Sequence, residues 1–343
     1  MSCLIIAEAG VNHNGSEEMA FQLIDAAVEV GADAVKFQTF RADDLVQKGA
    51  EKAQYQKEKT GDGDQHSMLK RLELSEAFHK KLAAYCVERG IEFLSTGFDT
   101  ASIDLLISLG IQRLKIPSGE LTNKPYVEYI ASFDMPIILS TGMSTLAEVE
   151  ETVDWIDAER AKLGFLAALA DRLTLLHCTS SYPAPLDSVN LQAMQTLAKH
   201  FGLPVGYSDH TSGILVAPAS VAMGGTVVEK HFTLDRNLDG PDHKASLEPT
   251  AFGDMVKHIR QIEQSLGDGV KQPTAVELDV RSVARRSIVV KNKIPAGQTL
   301  TLDDLQLLRP GTGLAPKYLD ELVGRELRCE LNAGQQLSWD DLK

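Results

Sequence analysis

Short apolar runs alternate with amphipathic stretches through the first 265 or so residues of this 343-residue chain. The apolar runs have the length of buried strands, and apolar residues between them recur at helical spacing. The runs cover residues 4–8, 34–38, 92–96, 113–116, 136–140 and 173–178, followed by two that end in the clusters at His210 and His231. Eight strand–helix units in this length predict an α/β fold, the (β/α)8 TIM barrel, whose site lies at the carboxyl ends of its strands.

The rival fold is an open, doubly wound sheet. It normally has fewer strands and a glycine-rich first turn, and no GxGxxG sequence follows the first apolar run. A long polar stretch at residues 41–73 separates the second run from the next helical pattern. Such a loop in a compact domain is usually a lid or a binding loop.

The sequence predicts three segments: a barrel domain at residues 1–267, a linker at 268–285 and a small domain at 286–343. From Ser287 the pattern changes to short strands and turns. A domain this small is expected to gain part of its stability by docking on another surface. Arg281, Arg285 and Arg286 form a basic cluster near the end of the linker. Most such clusters are solvated surface, and the sequence does not decide whether this one has a specific role.

Charge and composition limit the function. The net charge of −14 argues against binding to nucleic acid or to an anionic membrane surface. No apolar run approaches the roughly 18–20 residues that span a bilayer. We expect no signal peptide, because the first run lacks a basic region and a long apolar stretch before it. The four cysteines form no CxxC pair and are too few for a disulfide framework. We expect a soluble cytoplasmic protein.

The last two strands each end in a histidine beside a carboxylate: Ser208-Asp209-His210 and Glu229-Lys230-His231. A strand–helix–strand crossover makes these strands parallel neighbours, so both imidazoles emerge at one edge. Two imidazoles with nearby carboxylates could hold a divalent cation. The alternative is that both are hydrogen-bonded structural residues.

Polar side chains gather at the carboxyl ends of the other strands as well. Lys36 and Lys115 supply positive charge, and hydroxyl groups supply neutral donors, so together they could hold a phosphate and a carboxylate on one small molecule. Glu120 could act as a general acid or base there. The alternative, that the polar residues are helix N-caps, suits Ser140 and Thr141 but not the charged residues.

Nine ordered motifs resemble the sialic acid synthases, the N-acetylneuraminate synthase family. They are AEAGVNHNG, AVKFQTF, STGFD, LKIPSGE, ILSTGM, LHCTSSYPAP, GYSDHT, EKHFTLD and GPDHKAS. The segment from Ser287 is similar to the family's C-terminal SAF domain, which is related to type III antifreeze protein. The resemblance implies a phosphoenolpyruvate-dependent enzyme that condenses phosphoenolpyruvate with an N-acetylated mannosamine-type sugar and releases phosphate.

The resemblance also implies roles for individual residues. It implies that His210 and His231 bind a divalent metal, Mn2+ or Mg2+, with Glu229 and Glu8 near its waters, and that Glu120 transfers protons. The phosphate of phosphoenolpyruvate is expected to contact Lys115, Ser118, Ser140, Ser180 and Ser208. Its carboxylate is expected to contact Lys36 and Thr96.

For the sugar, the resemblance implies contacts with Gln38, Tyr182 and Asp242. Arg309, in the RPGTG sequence, is similar to the residue that the family's C-terminal domain inserts into the partner subunit's barrel. The resemblance therefore implies a homodimer in which the C-terminal domain is swapped onto the partner barrel.

The identity of the sugar stays open. N-acetylmannosamine is one candidate, but Ser180 and Gly97 depart from the Asn and Pro of many N-acetylneuraminate synthases. They are more similar to legionaminic acid synthases, which use 2,4-diacetamido-2,4,6-trideoxymannose, or to spore-coat-type synthases. A barrel synthase for a phosphorylated sugar would need more Arg or Lys at the strand ends. A carbohydrate- or ice-binding module would not require paired His and Lys.

Overall fold

The computed structural model describes residues 2–52, 57 and 61–343. The chain divides into two compact units, Met1–Gly267 and Asp268–Lys343, each described by itself below. Within the described residues, no helix has both the length and the apolar composition needed to cross a bilayer.

The first unit is built around eight parallel strands. They are β1 (Leu4–Gly10), β2 (Ala34–Thr39), β3 (Glu92–Gly97), β4 (Leu114–Ile116), β5 (Ile137–Ser140), β6 (Leu173–Cys178), β7 (Val205–Asp209) and β8 (Val227–His231). Hydrogen bonding gives the order β3-β2-β1-β8-β7-β6-β5-β4, and β3 and β4 also lie side by side. The sheet thus curls into a ring, which confirms the predicted TIM barrel and excludes the open sheet.

Helices follow the strands at the positions that the periodicity predicts, except for two short ones in the predicted loop. They are α1 (Glu17–Glu29), α2 (Ala42–Leu45), α3 (Gln65–Lys70), α4 (Glu76–Arg89), α5 (Thr100–Ser108), α6 (Lys124–Ala131), α7 (Leu146–Lys162), α8 (Gln192–Phe201), α9 (Val216–Ala222) and α10 (Pro249–Ser265). Ser16, Ser75 and Thr145 are N-caps whose side chains accept from the third backbone N–H of α1, α4 and α7, as such residues do.

The predicted polar loop at residues 41–73 is partly helical. It contains α2 and α3, whose leucine and methionine side chains pack on Val11, Phe40 and Phe98 beyond the strand ends. Apolar residues at helical spacing within this polar sequence explain the difference. The prediction for residues 53–56 and 58–60 lies outside the described residues.

The barrel interior is filled by one layer of apolar side chains. Six strands contribute to it: Ile6, Ala34, Leu94, Ile138, Leu176 and Val227. Gly206 of β7 lies in the same layer, where a Cβ atom would come within 2.3 Å of Val227 O and 2.7 Å of a Leu176 methyl. The layer closes the barrel below its carboxyl end, so side chains above it face a cavity.

A fully buried ion pair joins β7 and β8. Asp209 and Lys230 are register partners, and Lys230 Nζ lies 3.0 Å from Asp209 Oδ2. Lys230 also donates to Thr211 O at 2.5 Å, while Asp209 Oδ1 accepts from the Thr211 backbone and hydroxyl. The pair and Thr211 lock together the strand ends that carry His210 and His231.

The second unit begins with α11 (Ala275–Ala284), which has a capping box between Thr274 and Glu277. Residues 268–285 were predicted to be a linker, and this helix lies within them. An antiparallel pair follows, β9 (Ser287–Val290) and β10 (Leu305–Leu308), and then a short helix, α12 (Leu319–Leu322). Eleven buried aliphatic side chains, from Ile288 to Leu342, form its core.

Loss of the Lys230 ammonium should destabilise the first unit. In Lys230→Met the Asp209 carboxylate stays buried without its counter-ion, which costs about 3–5 kcal/mol of unfolding free energy. Urea denaturation followed by circular dichroism measures the loss. The double variant Asp209→Asn/Lys230→Met should recover most of it, because neither charge is then left alone.

An exposed pair serves as the control, since Lys81 lies 3.0 Å from Glu17 with both side chains more than half exposed. Lys81→Met should change the unfolding free energy by less than about 1 kcal/mol. A Lys230→Met variant as stable as the Lys81→Met variant would contradict the importance of the buried pair.

A buried histidine after β1 should make stability depend on pH. His13 is fully buried, its Nδ1 accepts from the Gly15 backbone at 2.9 Å, and burial, then His79 and His243, lower its pKa to about 4. The unfolded chain, with a pKa near the ordinary 6.5, takes up the proton first as the pH falls. The stabilising contribution of neutral His13 is therefore present above pH 6.5 and is lost towards pH 4.

The variant His13→Asn keeps an acceptor for the Gly15 N–H but does not titrate. Between pH 7 and pH 5 the wild type should lose about 2 kcal/mol of unfolding free energy relative to this variant. Urea denaturation at both pH values measures the difference. If both proteins lost the same unfolding free energy between pH 7 and pH 5, protonation of His13 would not be linked to unfolding.

Candidate active site

A cavity of about 540 Å³ opens at the carboxyl ends of the barrel strands. The side chains that the sequence predicts for the site converge on it from distant parts of the first unit. Its lining includes Glu8, Lys36, Gln38, Thr96, Lys115, Ser118, Glu120, Ser140, Ser180, Tyr182, Ser208, His210, Glu229, His231 and Asp242.

The strands position these side chains through their two-residue repeat. On several strands, a site residue stands two positions after an apolar residue of the barrel interior. Residues two apart share a strand face, so the site residue also points into the barrel, one layer closer to the carboxyl end. The pairs include Ile6 with Glu8, Ala34 with Lys36, Leu94 with Thr96, Ile138 with Ser140, and Val227 with Glu229. Parallel register places Glu8 beside both Lys36 and His231, and Ser208 beside Glu229.

Two lysines and two glutamates form the charged floor of the cavity. Lys36 Nζ lies 2.9 Å from Glu8 Oε2 and 3.2 Å from Glu229 Oε2, and it donates to Thr96 Oγ1 at 3.0 Å. Lys115 Nζ donates to Ser140 Oγ at 2.7 Å and lies 4.0 Å from Glu229 Oε1. All four charged side chains are buried, so the ion pairs are screened very little by water.

Burial and these ion pairs give the carboxyl groups of Glu8 and Glu229 different pKa values. Burial alone would raise the pKa of Glu229, but Lys115 and Lys36 outweigh it and lower the pKa to about 2. Burial raises the pKa of Glu8 to about 7, because Lys36 only partly offsets burial and the charge of Glu229 adds to it. Glu229 is therefore a permanent anion, whereas Glu8 can gain or lose a proton near neutral pH.

The two histidines face each other with ring centroids 5.5 Å apart. His210 Nδ1 lies 2.7 Å from Thr179 O, which can only accept, so Nδ1 carries the hydrogen and Nε2 keeps its lone pair. His231 Nδ1 has no hydrogen-bond partner within the described part of the chain and lies 3.9 Å from Asp242 Oδ2. Burial lowers the pKa of both imidazoles, which makes the neutral, ligand-competent form the resting one.

These groups fit a divalent ion held by two protein nitrogens with water completing its shell. Glu8 Oε2 and Glu229 Oε2 are buried oxygens paired with Lys36, and each keeps a lone pair that could orient such a water. No cluster of three or more His, Cys, Asp or Glu suited to a metal ion occurs among residues 2–52, 57 and 61–343.

Serine hydroxyl groups line the same cavity as Lys115. Ser118 Oγ accepts from the Gly142 backbone at 3.0 Å, and Ser208 Oγ donates to Glu229 Oε1 at 3.0 Å. Ser140 accepts from Lys115 instead of capping a helix, and Thr141 donates to Leu176 O, so the N-cap alternative is wrong for both. The N-cap of the next helix is Thr145.

The remaining polar residues lie higher in the cavity. The Tyr182 ring packs 4.3 Å from the His210 ring and 5.5 Å from the His231 ring, measured between centroids. Gln38 Nε2 contacts Glu8 Oε1 at 3.4 Å, and burial raises the pKa of Asp242 to about 6. Glu120, in a 3-10 turn after β4, is half-buried and accepts from Asn123 Nδ2 at 2.7 Å.

Arg309 belongs to the second unit. It directly follows β10 and is exposed. Its predicted contact with the partner's sugar stays a prediction, since it concerns a second subunit.

Sequence reasoning missed two kinds of site residue. The first kind comprises Cys178, which lines the cavity, and Gly142. Only glycine fits at position 142, because a Cβ atom there would lie 2.5 Å from Ser180 Oγ and 2.8 Å from both Cys178 Sγ and Ser118 Oγ. Alternation from Leu176 could have identified Cys178. A set of apolar side chains beyond β2 and β3, including Phe40 and Phe98, also lines the cavity. No signal separates these from core residues in the sequence.

Comparison with known proteins places this geometry in a family. The NeuB family matches residues 23–271, and the SAF domain matches residues 285–343. An N,N'-diacetyllegionaminic acid synthase of Legionella pneumophila is 53% identical over 100% of this chain and 95% of the relative. The enzyme of the same name from Campylobacter jejuni is 46% identical over 94% of this chain and 95% of its own length.

A solved structure agrees. The N-acetylneuraminic acid (sialic acid) synthetase of Leptospira borgpetersenii, crystallised with citrate, is 32% identical and superposes with a TM-score of 0.70 over 82% of this chain and 90% of that one. The resemblance to sialic acid synthases that nine sequence motifs indicate is therefore confirmed. The chain belongs to the NeuB family and carries a C-terminal SAF domain.

Proposed function

We propose that this protein condenses phosphoenolpyruvate with 2,4-diacetamido-2,4,6-trideoxymannose to give N,N'-diacetyllegionaminic acid and phosphate. One observation carries the proposal: a single buried cavity holds two lysines for an anionic substrate beside two neutral imidazoles for a metal. The names of the relatives at 53% and 46% identity support this sugar. N-acetylmannosamine is the second candidate, supported by the sialic acid synthetase at 32% identity.

Phosphoenolpyruvate would bind at the charged floor. Lys36 and Thr96, already joined by a hydrogen bond, would hold its carboxylate. Lys115 would hold its phosphate together with four hydroxyl groups, those of Ser118, Ser140, Ser180 and Ser208. Charge-assisted bonds from buried lysines are strong in this setting, because little water competes for them.

A divalent ion, Mn2+ or Mg2+, would be held by His210 and His231, with Glu229 and Glu8 orienting its waters. When bound, it would polarise the aldehyde of the open-chain sugar. Tyr182, whose ring packs against the His210 ring, would orient the sugar with Gln38 and Asp242. The cavity floor would bring the enol carbon of phosphoenolpyruvate against the aldehyde carbon.

The reaction balances as follows. The C=C electron pair of phosphoenolpyruvate forms the C–C bond to the aldehyde carbon, while the aldehyde C=O π pair moves to its oxygen, which takes a proton and becomes a hydroxyl group. Water adds to the phosphate-bearing carbon and loses a proton. The C–O bond to phosphate then breaks as that carbon becomes a ketone carbonyl, and inorganic phosphate leaves. Glu8, with a pKa near 7, can take or give the proton that water addition and phosphate release require. Glu120 at the cavity edge is the second candidate for this transfer.

We also propose a homodimer in which the SAF domain of one chain completes the partner's site through Arg309. Helix α11 supports a second copy, because Val276, Leu278, Val280 and Val283 are all more than half exposed on it. Phosphoenolpyruvate is an intracellular metabolite, which favours a cytoplasmic enzyme.

Release of inorganic phosphate from phosphoenolpyruvate tests the reaction. It should require a sugar and proceed faster with the diacetamido sugar than with N-acetylmannosamine. Mass spectrometry of the product then checks for the added three carbons. Absence of phosphate release with either sugar, in the presence of Mn2+ or Mg2+, would contradict the proposed function.

Removal of one imidazole should abolish turnover. His210→Ala, assayed with excess Mn2+, should reduce kcat/KM by at least about 1,000-fold, the scale of losing a Lewis-acid contribution of several kcal/mol. His258→Ala, an exposed histidine on α10, is the matched control and should keep normal activity. Near-normal turnover by His210→Ala would contradict the assignment of His210 as a metal ligand.

A further inference from the structure

One side of the cavity is an apolar wall. It consists of Phe40 and Phe98, which follow β2 and β3, and of Leu45, Val46, Met68 and Leu69 from the segment that contains α2 and α3. Phe40 and Phe98 meet edge to face with centroids 6.1 Å apart, and the wall residues belong mostly to one apolar cluster. The wall is therefore a packed surface and not a set of isolated side chains.

The wall lies above the charged floor. Lys36, Gln38 and Phe40 alternate along β2 and its extension, and all three line the cavity. At about 3.3 Å per residue, Phe40 lies roughly 13 Å along the chain from Lys36. Thr96 and Phe98 repeat the same order at the end of β3. Polarity therefore falls from a lysine at the floor, through an amide, to aromatic rings near the rim.

This gradient orients the sugar, given the function proposed above. The phosphate and carboxylate of phosphoenolpyruvate must pair with the lysines of the floor, so its enol carbon faces upward. The aldehyde carbon of the sugar must meet that enol carbon. The opposite end of the sugar, its C6, is then directed away from the floor and towards the wall.

The wall offers C6 no charge. Among the described lining residues of the cavity, Lys36 and Lys115 are the lysine or arginine side chains, and both lie at the floor. Arg71 lines a neighbouring hollow with Asn14 and Asp239, and Lys52 donates to Gly61 O and Asp62 O. Gln65 is the polar neighbour of the wall on α3, and its amide suits an acetamido group at C4.

We propose that the apolar wall is the subsite for the C6 methyl group of a 6-deoxy acetamido sugar, and that it excludes sugars with a phosphate at C6. This inference rests on the proposed function and adds to it the residues that choose the sugar. A methyl group gains from contact with the wall, whereas a hydroxyl group there loses hydrogen bonds to water.

Two sugars that differ by one oxygen test the subsite. N-acetylmannosamine and its 6-deoxy analogue, 2-acetamido-2,6-dideoxymannose, share every group except the C6 hydroxyl. Phosphate release from phosphoenolpyruvate should give kcat/KM about 10–100-fold higher for the 6-deoxy sugar, the range that an apolar pocket achieves against one hydroxyl. N-acetylmannosamine 6-phosphate should give no turnover.

Near-isosteric variants test whether the wall residues select the 6-deoxy sugar. Val46→Thr and Phe98→Tyr each add one oxygen to the wall and should lower the preference for the 6-deoxy sugar by about 5–10-fold, mainly by raising kcat/KM for the 6-hydroxy sugar. Val87→Thr, at an exposed position of α4, is the control and should leave the preference unchanged.

The outcomes separate the two proposals. No phosphate release with any sugar would overturn the proposed function and this inference with it. Release without a preference for the 6-deoxy sugar would overturn the wall as a subsite while leaving the condensation intact. The wall would also be overturned as a subsite if neither Val46→Thr nor Phe98→Tyr altered the preference for the 6-deoxy sugar. Turnover of N-acetylmannosamine 6-phosphate would overturn it as well.

Discussion

The barrel's functional end depends on the two-residue repeat of its strands. Interior positions carry Ile6, Leu94, Ile138 and Val227 at one level, and two residues later the same strands carry Glu8, Thr96, Ser140 and Glu229. The apolar layer seals the barrel, and the polar layer stands on it, out of bulk water. A one-residue shift in any strand would turn its polar side chain outward into the helix layer, where a charge has no partner.

Burial then gives the polar layer its chemistry. Lys36 and Lys115 compensate Glu229, which stays ionised, while Glu8 is left with a pKa near 7. The same burial keeps His210 and His231 neutral, and the carbonyl of Thr179 fixes the tautomer of His210. The two glutamates therefore differ in protonation behaviour while both imidazoles stay neutral, because each group has its own balance of burial and charged neighbours.

The sequence predicted the barrel, most element bounds to within a few residues, and the set of polar residues at the strand ends. It did not reveal Gly142, whose missing side chain lets three neighbours converge, since that requirement depends on atoms of Ser118, Cys178 and Ser180. It did not separate Phe40 and Phe98 from ordinary core residues, because an apolar side chain has the same pattern whether it faces a helix or a ligand. The helices within residues 41–73 were hidden by the polar composition around them.

What the sequence determined by itself is the order of strands and helices and the chemistry available at each strand end, because both follow from local periodicity and from motif identity. The tertiary structure decided which of those groups meet. Lys36 lies between Glu8 and Glu229 although about 190 residues separate it from Glu229, and only closure of the ring brings β1, β2 and β8 side by side. Distances, burial and protonation state follow from that closure, because each depends on atoms that are remote in the chain.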